Sequence, residues 1–334
     1  MRNGPCGGST PEKCYVDETR PCIWYRIYAR AFKMGREHML LEVLPPLDWD
    51  KVGCETWGDV GRSVRSYGTG KFTRSRFSGN REKKHESWEA VFKPVRQPRW
   101  WAGDALYHPA AYDEPFSQLE QDLKAGKFVI TAEVSPPLST ATGKLKRDIE
   151  MVGGLVSAVN FTDSASASPR MSSMACSKIA AELGADPVLQ IAARDKTRSG
   201  LQSDIMGANA MGVHNVLCIT GDNARIGPSP TSNTNILDMD AVQMLWILRR
   251  MRDEGIYLDG RKMKSPPKLF LGAAASPFAS EPRFQALREE KKINAGAQFF
   301  QTNLIYDPDG LDVWLEEMDK RNILDKVYIL AGVT

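Results

Sequence analysis

The chain contains no apolar run approaching the roughly 18–20 residues that a membrane-spanning helix needs, so no helical membrane span is expected. Its opening residues, Met-Arg-Asn-Gly-Pro-Cys, lack the hydrophobic stretch of a secretory leader, and a cytoplasmic location is expected. Charge of one sign is scarce too. Lys plus Arg number 44 against 41 Asp plus Glu, leaving a net +3, and no basic stripe is interleaved with aromatics. Nucleic acid and anionic membrane surfaces are therefore not expected partners. No Gly-rich dinucleotide fingerprint comes after the first strand-like run, which argues against a nucleotide-binding doubly wound sheet. Cysteines are few, six in 334 residues, and none forms a C-x2-C pair.

The residues that are present fall into three zones. Residues 1–60 hold Cys6, Cys14, Cys22 and Cys54 among turn-forming residues, with a helix-like stretch from Ile23 to His38. Residues 61–120 are first rich in Arg, Lys and Ser, then in Trp and Pro, with no sustained period. They read as a draping linker with its tryptophans tucked into a domain, and Phe116 to Ala125 as a short helix introducing the third zone. Residues 121–334 alternate. Apolar, β-branched runs at 127–134, 155–162, 186–193, 214–220, 267–275, 297–304 and 326–333 are separated by amphipathic helical segments. Nearly continuous apolar strands between helices predict a parallel sheet covered on both faces. Seven such units favour a (β/α)8 TIM barrel, with the last strand and its helix missing from this chain. Either the chain is a fragment, or another chain or element closes the barrel.

In a barrel of this kind the site lies at the C-terminal ends of the strands. The residues there are polar: Glu133, Asn160 to Asp163, Gln190 to Asp195, Thr220-Gly221-Asp222, and Gln301-Thr302-Asn303. Glu133 lies inside a β run just before a Pro-Pro break, where restricted access to water would raise its pKa and suit it to general acid catalysis. The competing reading is a structural carboxylate paired with Arg170 or Arg194. Asp222 comes after Gly221, which would let the backbone approach a ligand; the competing reading is a helix N-cap. Lys292, at the end of a helix entering the sixth strand, is a candidate phosphate contact, against the common outcome of a solvated lysine. Cys176 and Cys218 stand alone in apolar surroundings and read as buried hydrophobes.

Five strings gain weight together: TAEVSPP, VNFTDSASASPRMSS, LQIAARDKTRSGLQSDIMGANAMGVHNVLCITGD, LGAAASPFASEP and KKINAGAQFFQTNLIYD. In this order and spacing they resemble methylenetetrahydrofolate reductases. The resemblance implies a barrel carrying non-covalent FAD that reduces 5,10-methylenetetrahydrofolate to 5-methyltetrahydrofolate by hydride transfer. It implies NAD(P)H or a redox partner protein as electron source, and an oligomer. Glu133 falls on the family's catalytic glutamate, which protonates a folate nitrogen. Asp222 falls on the aspartate beside flavin and pterin. Asn160, Asp163, Gln190, Thr220, Gly221, Ala274, Ala275 and Lys292 fall on or beside cofactor contacts, and Gln301 and Asn303 on substrate contacts. Asn303 stands where the family usually has glutamine, Gln190 where some members have histidine, and the SPFASEP loop is short.

The string RNGPCGGSTPEKCYVDETRPCIWYRIYARA resembles the small cysteine module of the partner subunit, or C-terminal extension, of bacterial methylenetetrahydrofolate reductases; here it precedes the barrel. With Cys54 as a fourth thiolate, Cys6, Cys14 and Cys22 form a candidate set for Zn2+ or an Fe–S cluster, against reduced cysteines with no metal. Three functional classes stay open: a flavoenzyme reducing methylenetetrahydrofolate, a non-catalytic flavin- and folate-binding subunit of a larger redox complex, and a flavin-free folate-linked methyltransferase.

Overall fold

The computed structural model describes residues 2–47, 100–228 and 237–334. Residues Met1–Pro45 and Gln97–Thr334 fold as one compact unit, so the N-terminal segment and the sheet share a single body. Among the described residues, no helix is long and apolar enough to cross a membrane.

Seven strands run parallel in the order of the sequence: β1 (Thr131–Glu133), β2 (Ala158–Phe161), β3 (Pro187–Ala192), β4 (Asn215–Ile219), β5 (Phe270–Ala275), β6 (Phe299–Leu304) and β7 (Tyr328–Gly332). They curl into a nearly closed TIM-type barrel, as the alternation predicts. The helices between and after the strands are α3 (Gly143–Gly153), α4 (Ser173–Glu182), α5 (Arg198–Ala210), α6 (Ala241–Asp253), α7 (Pro282–Ala295) and α8 (Pro308–Asp319). Their ends carry the expected local chemistry. Ser172, Thr197, Asp240 and Asp307 cap α4, α5, α6 and α8 through their side-chain oxygens, and Asp240 makes a reciprocal capping box with Gln243.

Two earlier helices frame the barrel. The short α2 (Gln118–Lys124) puts Leu119 and Leu123 among Ala158, Val188, Leu217, Phe270 and Phe299, the apolar filling inside the strands. Its N-cap Ser117 donates to Asn215 Oδ1 at 2.6 Å, and Asn215 Nδ2 donates to Asp186 at 2.9 Å, tying the plug to the starts of β3 and β4. One end of the barrel is thereby shut, and chemistry is left the other. The second is α1 (Ile23–Lys33), whose Tyr25, Tyr28 and Phe32 surround Phe284 of α7 at ring-centroid separations of 6.0, 5.5 and 5.2 Å. The expected stretch to His38 ends instead as a separate 3-10 turn, Glu37–Leu41, after Gly35 adopts a φ of +62°. Trp101 packs against Trp246 of α6, with centroids 4.0 Å apart, and donates to the Val43 carbonyl at 3.0 Å, so this linker tryptophan is indeed tucked in.

β1 departs from expectation. The run from 127 to 134 pairs over only three residues, and Phe128 and Ile130 are left exposed at 94% and 55%. The strand has a partner on one side only.

Candidate active site

Strand parity organises the mouth. Two positions beyond the apolar filling, on the same side of the pleat, come Asn160, Gln190, Ile219, Gly272 and Gln301, and the register sets Glu133 beside Asn160 and Ala274 beside Gln301. A polar layer thus rests on an apolar plug. At β5 a Cβ on Gly272 would lie 2.3 Å from the Phe299 ring, so the ring fills the space that a side chain would take.

Glu133 accepts from Asn160 Nδ2 at 3.3 Å. Burial of its inner side pushes the Glu133 carboxyl above the usual carboxylate range, against the opposing pull of that hydrogen bond. The restricted access expected for it is nevertheless not found: Glu133 is exposed, at an edge strand that pairs on one side only among the described residues. The arginines that might have paired with it are engaged elsewhere. Arg170 donates to the Pro136 carbonyl at 3.1 Å, and Arg194 reaches Asp195, the Ser164 carbonyl and the Asp222 carbonyl. The side-chain oxygen of Asn160 is buried with no hydrogen-bond partner, an open acceptor beside the acid.

Asp222 is not an N-cap. Its carboxylate accepts from the Ser166 backbone N–H at 2.8 Å and from the Tyr15 hydroxyl at 3.3 Å, both remote in sequence. Ser166 belongs to a turn in which Ser164, Ser166 and Ala167 all adopt positive φ, at 47°, 55° and 53°. Such backbone strain in non-glycine residues persists only where neighbours hold it. Gly227 is one such neighbour: a Cβ there would come within 2.5 Å of the Ala167 carbonyl. Gly221 has a φ of +83°, and its Cβ position is crowded by Ala192 and Arg194 at 3.0 and 3.3 Å. The close approach predicted for this glycine is made to the end of β3.

Further positions serve the frame. Asp163 accepts the Ala192 N–H at 2.9 Å, and burial raises its carboxyl. Thr220 accepts from the α6 start at Ala241 at 3.3 Å. Gln190 is buried inside the mouth, Gln301 is half-buried, Ala275 is buried, and exposed Asn303 donates to Ser276 Oγ at 3.3 Å. Lys292 is not the solvated lysine of the competing reading. Its ammonium is buried and donates to Glu289 and to the Ala274 carbonyl, both at 2.6 Å. Burial lowers its pKa to about 8 even with Glu289 alongside. The ammonium faces Ala274 and Phe300 of the sheet, and the lysine lines a small pocket with Asn3, Gly4, Asp240 and Arg288, where a phosphate would have to compete with Glu289.

Comparison with protein families decides the kinship. A model described as methylenetetrahydrofolate reductase matches residues 118–334, from α2 to the end of β7. The chain belongs to the methylenetetrahydrofolate reductase family. A second model, described as the C-terminal part of methylene-tetrahydrofolate reductase, matches residues 1–50, so a segment named for a C-terminus stands ahead of the barrel here. Curated proteins return no match. Among solved structures, an uncharacterised protein from Clostridium thermocellum that binds two copies of 5-methyl-5,6,7,8-tetrahydrofolic acid is 17% identical, with a TM-score of 0.45, over 64% of this chain and 69% of its own. A Toxoplasma gondii protein described as a putative deoxyribose-phosphate aldolase is 14% identical, with a TM-score of 0.34, over 65% and 81%. Likenesses this distant say nothing of what this chain binds.

Among the described residues of this family member, the N-terminal cysteines make no metal site. Cys6, Cys14 and Cys22 are free thiols, and burial first, then the nearby Cys14 and Cys22, raise the pKa of Cys6. Cys22 is buried at the start of α1 in the aromatic cluster around Phe284. Among the described residues no three His, Cys, Asp or Glu side chains are arranged to hold an ion, and Cys54 lies outside the described residues. Cys176 and Cys218 are buried among apolar neighbours, as expected. Two residues at the mouth escape a reading by motif. Tyr15 sits in a segment whose visible signal is its cysteines, and Ser166 acts through its backbone, which leaves no side-chain signal.

Proposed function

We propose that the chain is a flavin-dependent methylenetetrahydrofolate reductase, converting 5,10-methylenetetrahydrofolate to 5-methyltetrahydrofolate. The observation that carries this reading is Glu133: a carboxyl with a raised pKa, at the end of β1, hydrogen-bonded to Asn160 across the strand register. A carboxylic acid whose pKa is raised keeps its proton to higher pH, and in that form it can donate to a ring nitrogen of the folate, opening the imidazolidine to a cationic iminium. The exposure of Glu133 suits this role, since the acid must meet a substrate that enters from solvent. Asp222, held at both oxygens by Ser166 and Tyr15, presents a fixed negative charge on the same mouth, where a cation formed from substrate would be stabilised.

The residues present fit a flavin at this place. The buried oxygen of Asn160, without a hydrogen-bond partner among the described residues, is an acceptor that a ring N–H could use, and Gly272 puts no side chain into the same layer. FAD, when bound, supplies the hydride. Gln190 and Asn160 would line its ring, while Lys292 is already committed to Glu289. Gln301, half-buried on the same layer as Asn160, would face the folate. The electron source is NAD(P)H or a redox partner protein. The described residues give no basis for a metal in this scheme.

The test is anaerobic. The purified protein is reduced, mixed with methylenetetrahydrofolate, and followed at the flavin absorption bands. Rapid reoxidation that is lost in Glu133→Gln supports the reading. Flavin binding with no reoxidation would favour the second reading, a flavin- and folate-binding subunit, for which the exposed Asn303 in place of glutamine is the motivating observation. A colourless protein that binds folate would overturn the reductase reading.

A further inference from the structure

The N-terminal segment does more than dock beside the barrel. From Gly7 to Tyr15 it reaches the strand ends themselves: Gly7 faces Ser276 just past β5, and the Tyr15 hydroxyl reaches Asp222 just past β4. We propose that Tyr15 is a positioning residue of the active site, fixing the Asp222 carboxylate in the orientation the reaction uses. The proposal rests on the reductase reading above for its catalytic part, and on geometry alone for the contact.

Three observations argue that Tyr15 is held for this purpose. Its ring lies on the bare backbone of Gly8, where a Cβ would come 2.4 Å from Cδ2. Its N–H donates to the hydroxyl of buried Ser9 at 3.1 Å, and the Ser9 carbonyl accepts from Tyr25 of α1 at 3.1 Å. Tyr25 in turn accepts from Gln285 of α7 at 3.4 Å. A continuous line of hydrogen bonds therefore runs from the barrel wall, through the N-terminal segment, back to a carboxylate on the barrel mouth. Ser166 N–H secures one carboxylate oxygen of Asp222 and Tyr15 the other, so the plane of the carboxylate is set by two donors from different parts of the chain. A donor to a charged acceptor contributes more than a neutral pair, and a carboxylate free to rotate would present its charge at a variable distance.

The experiment is a double-mutant cycle of Tyr15→Phe and Asp222→Asn, read in two ways. In turnover, Tyr15→Phe is expected to lower kcat about tenfold, the low end for a hydrogen bond to a charged group, with KM for the folate unchanged within about twofold. In the Asp222→Asn background it should change kcat no further. Gly8→Ala, which displaces the ring and keeps the hydroxyl, should reproduce the Tyr15→Phe loss. In urea unfolding without ligands, the same four proteins should show coupling of about three- to tenfold in the unfolding constant. Unchanged kcat in Tyr15→Phe, or losses that multiply with those of Asp222→Asn, would overturn the positioning role. Additive unfolding constants would overturn the contact itself. If the chain turns over no methylenetetrahydrofolate but the unfolding cycle shows coupling, the reductase reading fails and the contact stands.

Discussion

Replacing Lys292 by Met separates two roles for this α7 lysine, phosphate ligand and structural cation. The structure argues for the second. Lys292 is 4% exposed and Glu289 is not exposed at all. Their 2.6 Å ion pair leaves the other Glu289 oxygen without a partner, so the lysine is the counterion within hydrogen-bond reach of that carboxylate. Met matches the length of the lysine stem but strands a buried anion. Breaking a buried pair by removing one member costs about 3–5 kcal/mol, and the Ala274 carbonyl loses its 2.6 Å donor as well. With a urea slope near ~3 kcal/mol/M, the unfolding midpoint should fall by roughly 1–2 M. The double replacement Lys292→Met with Glu289→Leu removes both charges at similar volume, and should recover to within about 1–2 kcal/mol of the parent. Urea denaturation monitored by circular dichroism reads both numbers. A single variant with an unchanged midpoint but tenfold weaker FAD binding would refute the structural assignment and restore the phosphate one.

The same geometry sets four further outcomes. Glu133→Gln should slow flavin reoxidation by methylenetetrahydrofolate about 10²–10⁴-fold. In the parent protein that step should fall as pH rises through the elevated Glu133 value, because the acid must carry its proton, and stopped-flow across pH should show this limb vanish in the variant. Gly272→Ala drives a methyl into the Phe299 ring and should destabilise by about 1–3 kcal/mol in thermal melts, with partial rescue by Phe299→Leu. Asn3→Ala removes the buried amide that donates to Asp240 at 3.0 Å and accepts from Leu44 N–H at 2.8 Å, and should cost about 1–3 kcal/mol and speed proteolytic release of the N-terminal segment. Asp122 is held below the usual carboxylate range, first by Lys127 and then by Ser157. Asp122→Asn should therefore weaken folding at neutral pH in urea titrations, with the gap closing as pH falls through the depressed Asp122 value.

The barrel is legible in the sequence because its signal is local and repeated: each strand–helix unit carries its own period, and the helices α3 to α8 lie within a few residues of where the pattern puts them. β1 is shorter than its composition suggests because its register with β2 begins only at Thr131, the Ile130 carbonyl taking one bond from Ser157 N–H, and pairing is not a local property. At the site, strand-end polarity locates Glu133, Asn160, Gln190 and Gln301 in one layer. It does not reveal that Lys292 is turned to the Ala274 carbonyl and paired with Glu289, nor that Asp222 is held by Tyr15, a residue 207 positions away. The cysteines are the conspicuous feature of residues 1–60, yet in the described residues the polar contacts of that segment with the barrel include those of Asn3 and Tyr15, and its apolar ones centre on the α1 aromatics around Phe284.

The bond between Asn3 and Asp240 also sets an order of events during synthesis. The two residues are 237 positions apart, and Asn3, with almost no exposed surface, has its side-chain amide satisfied by Asp240 and Leu44. At translation speeds of about 5–20 residues per second, the segment waits roughly ten to fifty seconds for the start of α6 to exist. Throughout that interval the face of α1 that will cover Phe284 has no barrel to cover, and its aromatic side chains stay open to solvent or to chaperones. The N-terminal segment thus docks on residues made well after it, and a ribosome paused before Asp240 would hold a chain whose Asn3 does not yet have this partner.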